Sequence, residues 1–211
     1  MFYVFIISLI LSKLMFSMDD FMLYFKMGLH HVLDFSAYDH ILFLIVLAVV
    51  FNFNQWKKVL WLVTLFTIGH SITLALSTFE IIKIKVAVIE FLIPLTIFIT
   101  GLVNIITINK TSRKNENINL LFALFFGLIH GLGFSNYFKM MVGREEEDKL
   151  FPLVEFALGI EAAQIIIVLG ILSIGTLILS VKKIKREYWI LISSSIVILI
   201  SIKMMFERIF W

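Results

Sequence analysis

The chain has no cysteine, which rules out disulfides, thiolate zinc sites and thiol redox chemistry while leaving its compartment open. Proline and charge are also sparse, with two prolines and a charged fraction of 16%, and no soluble domain, long linker or low-complexity tract breaks the sequence. What fills the space is apolar: hydrophobic residues make up 61% of the 211 positions, and the mean hydropathy is +1.02. A soluble domain of this size could not hide so much apolar surface. Nor would it deliver that surface in runs of about 20 residues, the length that crosses a bilayer core. The composition specifies an integral membrane protein with the lipid bilayer as its partner.

A net charge of +3 and an isoelectric point near 9.1 suggest nucleic-acid binding only until the basic residues are placed. They sit in short loops between apolar runs, and no nucleic-acid partner is expected. The pattern predicts an all-α, polytopic transmembrane bundle with about six spans, at 39–54, 58–80, 86–108, 119–142, 150–180 and 188–208. Before them, Met1 to Phe16 is apolar except for Ser8, Ser12 and Lys13. Residues 1–17 read as a signal-like or anchoring segment, or as sequence preceding a true start at Met18, and residues 18–211 as one membrane domain. Phe21 to His31 reads as an amphipathic interfacial helix or the approach to the first span.

Loop charges alternate along the chain. The groups Lys57–Lys58, Lys110/Arg113/Lys114 and Lys182/Lys183/Lys185/Arg186 hold nine basic residues, whereas Lys83/Lys85 and Arg144/Lys149 hold four. The positive-inside tendency makes the first set cytoplasmic, which puts Asp39 and the C-terminus on the outer side.

Against this background the polar residues stand out. His70 lies within LFTIGHSITLAL (65–76), where lipid would offer its ring nitrogens nothing to bond. Matching oddities occur at His30, His31, Asp39, His40, Glu90, His130, Glu161 and Gln164. At ~1.5 Å per helical residue, His70 and His130 lie roughly 20 and 17 Å from the cytoplasmic ends of their spans, and Glu161 and Glu90 about 16 and 6 Å from the outer ends of theirs. All fall between the outer surface and the midplane, as one shared polar, metal-binding site would require.

Helical faces agree with this. Thr67, His70, Ser71 and Thr78 share one side of their span. In FFGLIHGLGF, Gly127 and Gly131 are four apart beside His130, and Gly159 and Ala163 form a second small-residue step near Glu161. Small residues at that spacing let helix backbones approach closely.

Several stretches in order resemble the HupE/UreJ family of small membrane proteins, proposed to be nickel or cobalt permeases. They are GLHHVLDFSAYDHILFL (28–44), LVTLFTIGHSITLAL (62–76), VIEFLIPLTI (88–97), FGLIHGLGF (126–134) and FALGIEAAQ (156–164). The family's nickel-permease branch has a His, five residues, then Asp-His. Here that position is Leu33, so His31, with seven residues between it and Asp39, takes the role. In the fifth motif Ala157 and Ala163 replace an Asn and a Gly. The resemblance implies transport of a divalent metal across a bacterial inner membrane, with nickel or cobalt as the ion.

Imidazole suits nickel, cobalt, copper and zinc, and carboxylates complete a mixed N/O site. The expected metal ligands are His31, Asp39 and His40 as an outer recruitment site, His70 and His130 as buried ligands, and Glu161 as ligand or proton acceptor. Ser71, Glu90 and Gln164 are expected as supporting partners of those ligands. Uptake through histidines would be pH-sensitive near neutrality.

Simpler roles exist for each residue: His30 as an interfacial histidine, Asp39 as a helix cap, His70 and His130 as interhelical hydrogen-bonding groups, Glu90 and Glu161 as packed neutral acids. The phenylalanines are expected in lipid contact and core packing. A membrane-embedded metal-dependent hydrolase using the same residues is the alternative to a permease. A haem protein with His70 and His130 as axial ligands and a metal-binding accessory protein rank behind both. Association of copies into a homo-oligomer is left open by the sequence.

Overall fold

The structure, a computed structural model, describes residues 18, 20–34, 38–108, 116–142, 149–181 and 184–210. Its helices are α1 (20–33), α2 (Asp39–Ala48), α3 (Trp56–Thr78), α4 (Val86–Thr107), α5 (Glu116–Val142), α6 (Leu150–Val181) and α7 (Arg186–Glu207). No strand occurs among the described residues. This is the expected all-α membrane bundle. Residues 1–17, and Lys110, Arg113, Lys114, Arg144, Lys182 and Lys183 in the loops, lie outside the described residues.

Five helices, α3 to α7, are long and apolar enough to cross a membrane. The segment expected as a span at 39–54 is helical only over Asp39–Ala48: α2 has 10 residues. At 1.5 Å per residue it is ~15 Å long, about half of a ~30 Å hydrocarbon core. It stops because the chain leaves helical geometry at Asn52, whose backbone is extended (φ −92°, ψ 160°). The Asn52 amide donates to Gln55 Oε1 at 3.1 Å, and a 3-10 turn at Phe53–Gln55 leads into α3.

A half-length helix can exist at this depth only where protein surrounds it and satisfies its ends. Eight of the ten α2 residues are buried, and α4, α6 and α7 flank it. Apolar character all round a helix is the mark of such enclosure. Its ends are reached by long side chains. Arg208, just past α7, donates to both carboxylate oxygens of Asp39, at 2.9 Å (Nη1–Oδ2) and 3.4 Å (Nη2–Oδ1). Arg186, at the other end of α7, donates to the Val50 carbonyl. Asn104 of α4 donates to the Val46 carbonyl at 2.7 Å, satisfying an acceptor that the end of α2 leaves open. Pro94 contributes in a similar way. It has no N–H for the Glu90 carbonyl one turn earlier, and that carbonyl accepts from Arg208 Nη1 at 3.4 Å.

Two backbone-to-backbone contacts fix the remaining geometry. α3 runs along α5 with Gly69, Gly127 and Gly131 at the crossing: a Cβ on Gly131 would lie 2.1 Å from the His70 carbonyl oxygen, and one on Gly127 2.2 Å from that of Phe66. α1 docks on the first half of α6 through Gly28 and Gly159, where added Cβ atoms would lie 2.1 Å from the Phe156 oxygen and 2.0 Å from the Phe25 oxygen. α1 is thus a packed element rather than a helix lying alone at the interface.

Candidate metal centre

The packing sends one imidazole inward from each of four helices. His31 comes from the last turn of α1, His40 from the first turn of α2, His70 from the middle of α3 and His130 from the middle of α5. Ring centroids are 4.6 Å apart for His31–His40, 5.8 Å for His31–His70, 6.1 Å for His40–His70 and 5.3 Å for His40–His130. Each of His31, His40 and His70 offers a ring nitrogen within 4.8 Å of the other two. Two nitrogens on one ion at ~2.1 Å sit roughly 3.5 Å apart, so small ring rotations separate this arrangement from a ligated one.

Among the described residues most of these nitrogens have no partner. His31 Nε2, both nitrogens of His40, both of His70 and His130 Nε2 are buried without a hydrogen bond. Buried polar atoms are ordinarily paired, and a cluster of unpaired lone pairs is costly unless something accepts them. A metal cation would accept them. His130 Nδ1 lies 2.8 Å from the Phe126 carbonyl oxygen. Because a carbonyl can only accept, this contact assigns the proton to Nδ1 and leaves the Nε2 lone pair free.

Phenylalanines close the walls. Phe134 lies 3.9 Å from the His31 ring centroid, Phe66 5.1 Å and Phe43 5.7 Å from His130, and Phe156 5.7 Å from His31 and 6.4 Å from His70. Phe43, Phe66 and Phe156 are fully buried. The expectation of lipid contact and core packing missed this duty, since nothing local distinguishes a phenylalanine beside a histidine from one beside a leucine.

The other sequence-predicted residues have contacts of their own. Asp39 adjoins His40 in the chain, but its carboxylate is paired with Arg208; it occupies the first turn of α2, and Tyr38 holds the cap position. Glu161 sits at the α3–α6 contact, where Oε1 accepts from Thr64 at 2.6 Å and Oε2 from Thr67. Gln164 Oε1 lies 3.0 Å from the Thr67 hydroxyl, and Gln164 Nε2 is buried and unpaired. Glu161 and Ser71 both line a cavity of about 540 Å³ between these two helices, separate from the three-histidine group. Glu90 is exposed at the start of α4, where its backbone carbonyl rather than its carboxylate makes the contact with Arg208. His30 is exposed, as an interfacial histidine would be.

α1 docking and the central position of α2 bring His31 and His40, expected as an outer set, to His70, expected as a buried ligand. The Asp39 carboxylate is engaged by Arg208, and that of Glu161 by Thr64 and Thr67. Arg208, Asn104 and Thr64 escaped the sequence reading, and Thr67 entered it only as part of the polar side of its span. Arg208 had a usable signal: a buried Asp39 demands a cation, and the last span ends in one.

The family model described as HupE / UreJ protein matches residues 9–208. No curated protein and no solved structure is significantly similar to the chain.

Proposed function

The chain belongs to the HupE/UreJ family, and from that membership together with its histidine group we propose that it is a permease for a divalent transition-metal ion, nickel or cobalt foremost. The family's association with nickel and cobalt transport supports the class of cargo. The observation that carries the reading is the set of buried, unpaired ring nitrogens brought together from separate helices at His31, His40 and His70. His130, 5.3 Å from His40, is the next stop for the ion.

The donor set suits passage. Imidazoles favour borderline ions such as nickel, cobalt, copper and zinc over calcium and magnesium. Three neutral ligands hold an ion without cancelling its charge and leave coordination positions open for water. Such a site binds and also releases. Ligands spread over α1, α2 and α3 further mean that a shift of one helix against the others takes the site apart. A metal-dependent hydrolase draws less support, since it needs an acid beside the metal-bound water. Asp39 is paired with Arg208, and Glu161 is held by two threonine hydroxyls.

We place the protein in a bacterial cytoplasmic membrane with residues 18–211 as one domain, the α1–α2 connection outside and the Lys57–Lys58 loop inside. Ions then meet the histidines from the outer side. The test is uptake of Ni²⁺, Co²⁺, Cu²⁺ and Zn²⁺ into proteoliposomes, comparing the unmodified protein with His40→Ala, His70→Ala and His130→Ala. Saturable accumulation of one ion, abolished by the first two substitutions and slowed by the third, is the expected outcome. If none of the ions accumulates and the purified protein retains none, the permease assignment is wrong.

A further inference from the structure

Beside the histidine group lies a cavity of about 840 Å³ between α1 and α5, walled by Lys26, His30, His31, Asp34, Phe134 and Tyr137. Lys26, His30 and Asp34 follow one another at four-residue spacing, so they share one face of α1 and its immediate C-terminal extension. All three are exposed, as is Tyr137. His31 belongs to two environments at once. It borders this cavity, and its ring lies 4.6 Å from His40 and 5.8 Å from His70.

We propose that this cavity is a water-filled vestibule in which the His30 imidazole and the Asp34 carboxylate form an outer capture site for a partly hydrated divalent transition-metal ion and pass it to His31. The proposal rests on the metal-permease reading and names a step in it. Residues four apart on a helix present their side chains to a common point, a spacing that serves metal chelation elsewhere. A carboxylate and one imidazole exchange with an ion's water more readily than a closed cage, which suits capture rather than storage.

The charges along α1 give the vestibule a direction. Asp34 is the first residue past α1, at the end from which the chain goes on to Asp39, and Lys26 lies eight residues back, ~12 Å along the helix at 1.5 Å per residue. A cation arriving from the Asp34 end meets His30 and then His31 before it reaches the Lys26 ammonium. That ammonium repels it from the rest of the helix and leaves the histidine group as the favourable continuation. The rival occupant of such a space is a lipid acyl chain, and wetness separates the two.

The natural absence of cysteine makes the test clean. His30→Cys and Tyr137→Cys, each the sole thiol in the full chain in lipid nanodiscs, are treated with membrane-impermeant cationic and anionic methanethiosulfonates. Both thiols are expected to react, the cationic reagent faster, and Co²⁺ is expected to protect the Tyr137→Cys protein, which keeps His30 and Asp34. Reaction only with a membrane-permeant maleimide would mean a lipid-filled cavity and overturn the proposal.

Stopped-flow cobalt binding, followed by the d–d absorption of the histidine-bound ion, supplies the second readout. In the His30→Ala/Asp34→Asn variant, association should slow about tenfold, the lower end of what charge focusing achieves, with little change in equilibrium affinity. An unchanged association rate would overturn the vestibule alone. Equal loss of rate and affinity would place His30 in the buried group and also overturn it. Failure of the unmodified protein to bind cobalt would instead bring down the histidine-site reading beneath it.

Discussion

Gly28→Ala tests whether helix docking, rather than ligand chemistry, sets the histidine geometry. The new methyl would lie 2.1 Å from the Phe156 carbonyl oxygen, 2.9 Å from the Ile160 nitrogen and 3.0 Å from the Phe156 carbonyl carbon. All three are backbone atoms of α6, so no side chain can swing aside. α1 must therefore back away by roughly 1 Å, several times the ~0.2 Å that metal–ligand distances tolerate.

His31, one turn along α1, moves with it, and the ring that lies 4.6 Å from His40 loses its register with the other two. Metal affinity should fall by about 100-fold, or ~2.7 kcal/mol, although every ligand is still present. Titration of the purified protein with Co²⁺ or Ni²⁺ measures this. Gly170→Ala is the control, because a Cβ there meets nothing within 4 Å. Native affinity in a folded Gly28→Ala protein, with α1 still docked by hydrogen exchange, would refute the claim that the Gly28–α6 contact positions His31.

Arg208→Ala leaves Asp39, 9% exposed, without its guanidinium, and should destabilise the protein by about 2 kcal/mol in a denaturation experiment. Asp39→Asn added to it should restore part of the loss; no loss in the single variant would show that the pair does not hold α2 to α7. Glu161→Gln should leave equilibrium metal affinity within a few-fold of native, since the carboxylate engages Thr64 and Thr67 rather than the histidine group, whereas His40→Ala should lose it by about two orders of magnitude. A collapse of affinity in Glu161→Gln would return that residue to the ligand set. Lowering the pH should weaken metal binding, because a protonated imidazole has no lone pair to give; metal that stays bound in the folded protein while NMR shows these imidazoles protonated would argue against histidine ligation.

Membership of the membrane class and the all-α architecture were legible in composition and run length, because a helix satisfies its own backbone in a bilayer and apolar runs of about 20 residues match its span rather than that of a barrel strand. The burial of His70 and His130 against protein was legible too: an imidazole in an apolar run must face protein, and Gly127 and Gly131 mark where two helices touch. His31 was readable as a replacement for the residue expected at Leu33, though only its encounter with His40 and His70 makes that substitution sensible.

Other features depended on folding in three dimensions. The length of α2 was misjudged because its apolar residues continue past Ala48 while its helix does not; termination there depends on Asn104, Arg186 and Arg208 supplying partners from far along the chain. The destinations of the carboxylates were equally hidden. Asp39 and Glu161 look like metal ligands in any list of polar residues, and only the fold shows Arg208 beside one and Thr64 and Thr67 beside the other. The sequence by itself determined which side chains are too polar to face lipid, since that is a property of each residue in its local run. Which of them meet was decided by tertiary structure, because close glycine contacts set helix positions to within an ångström, and side-chain pairing depends on those positions.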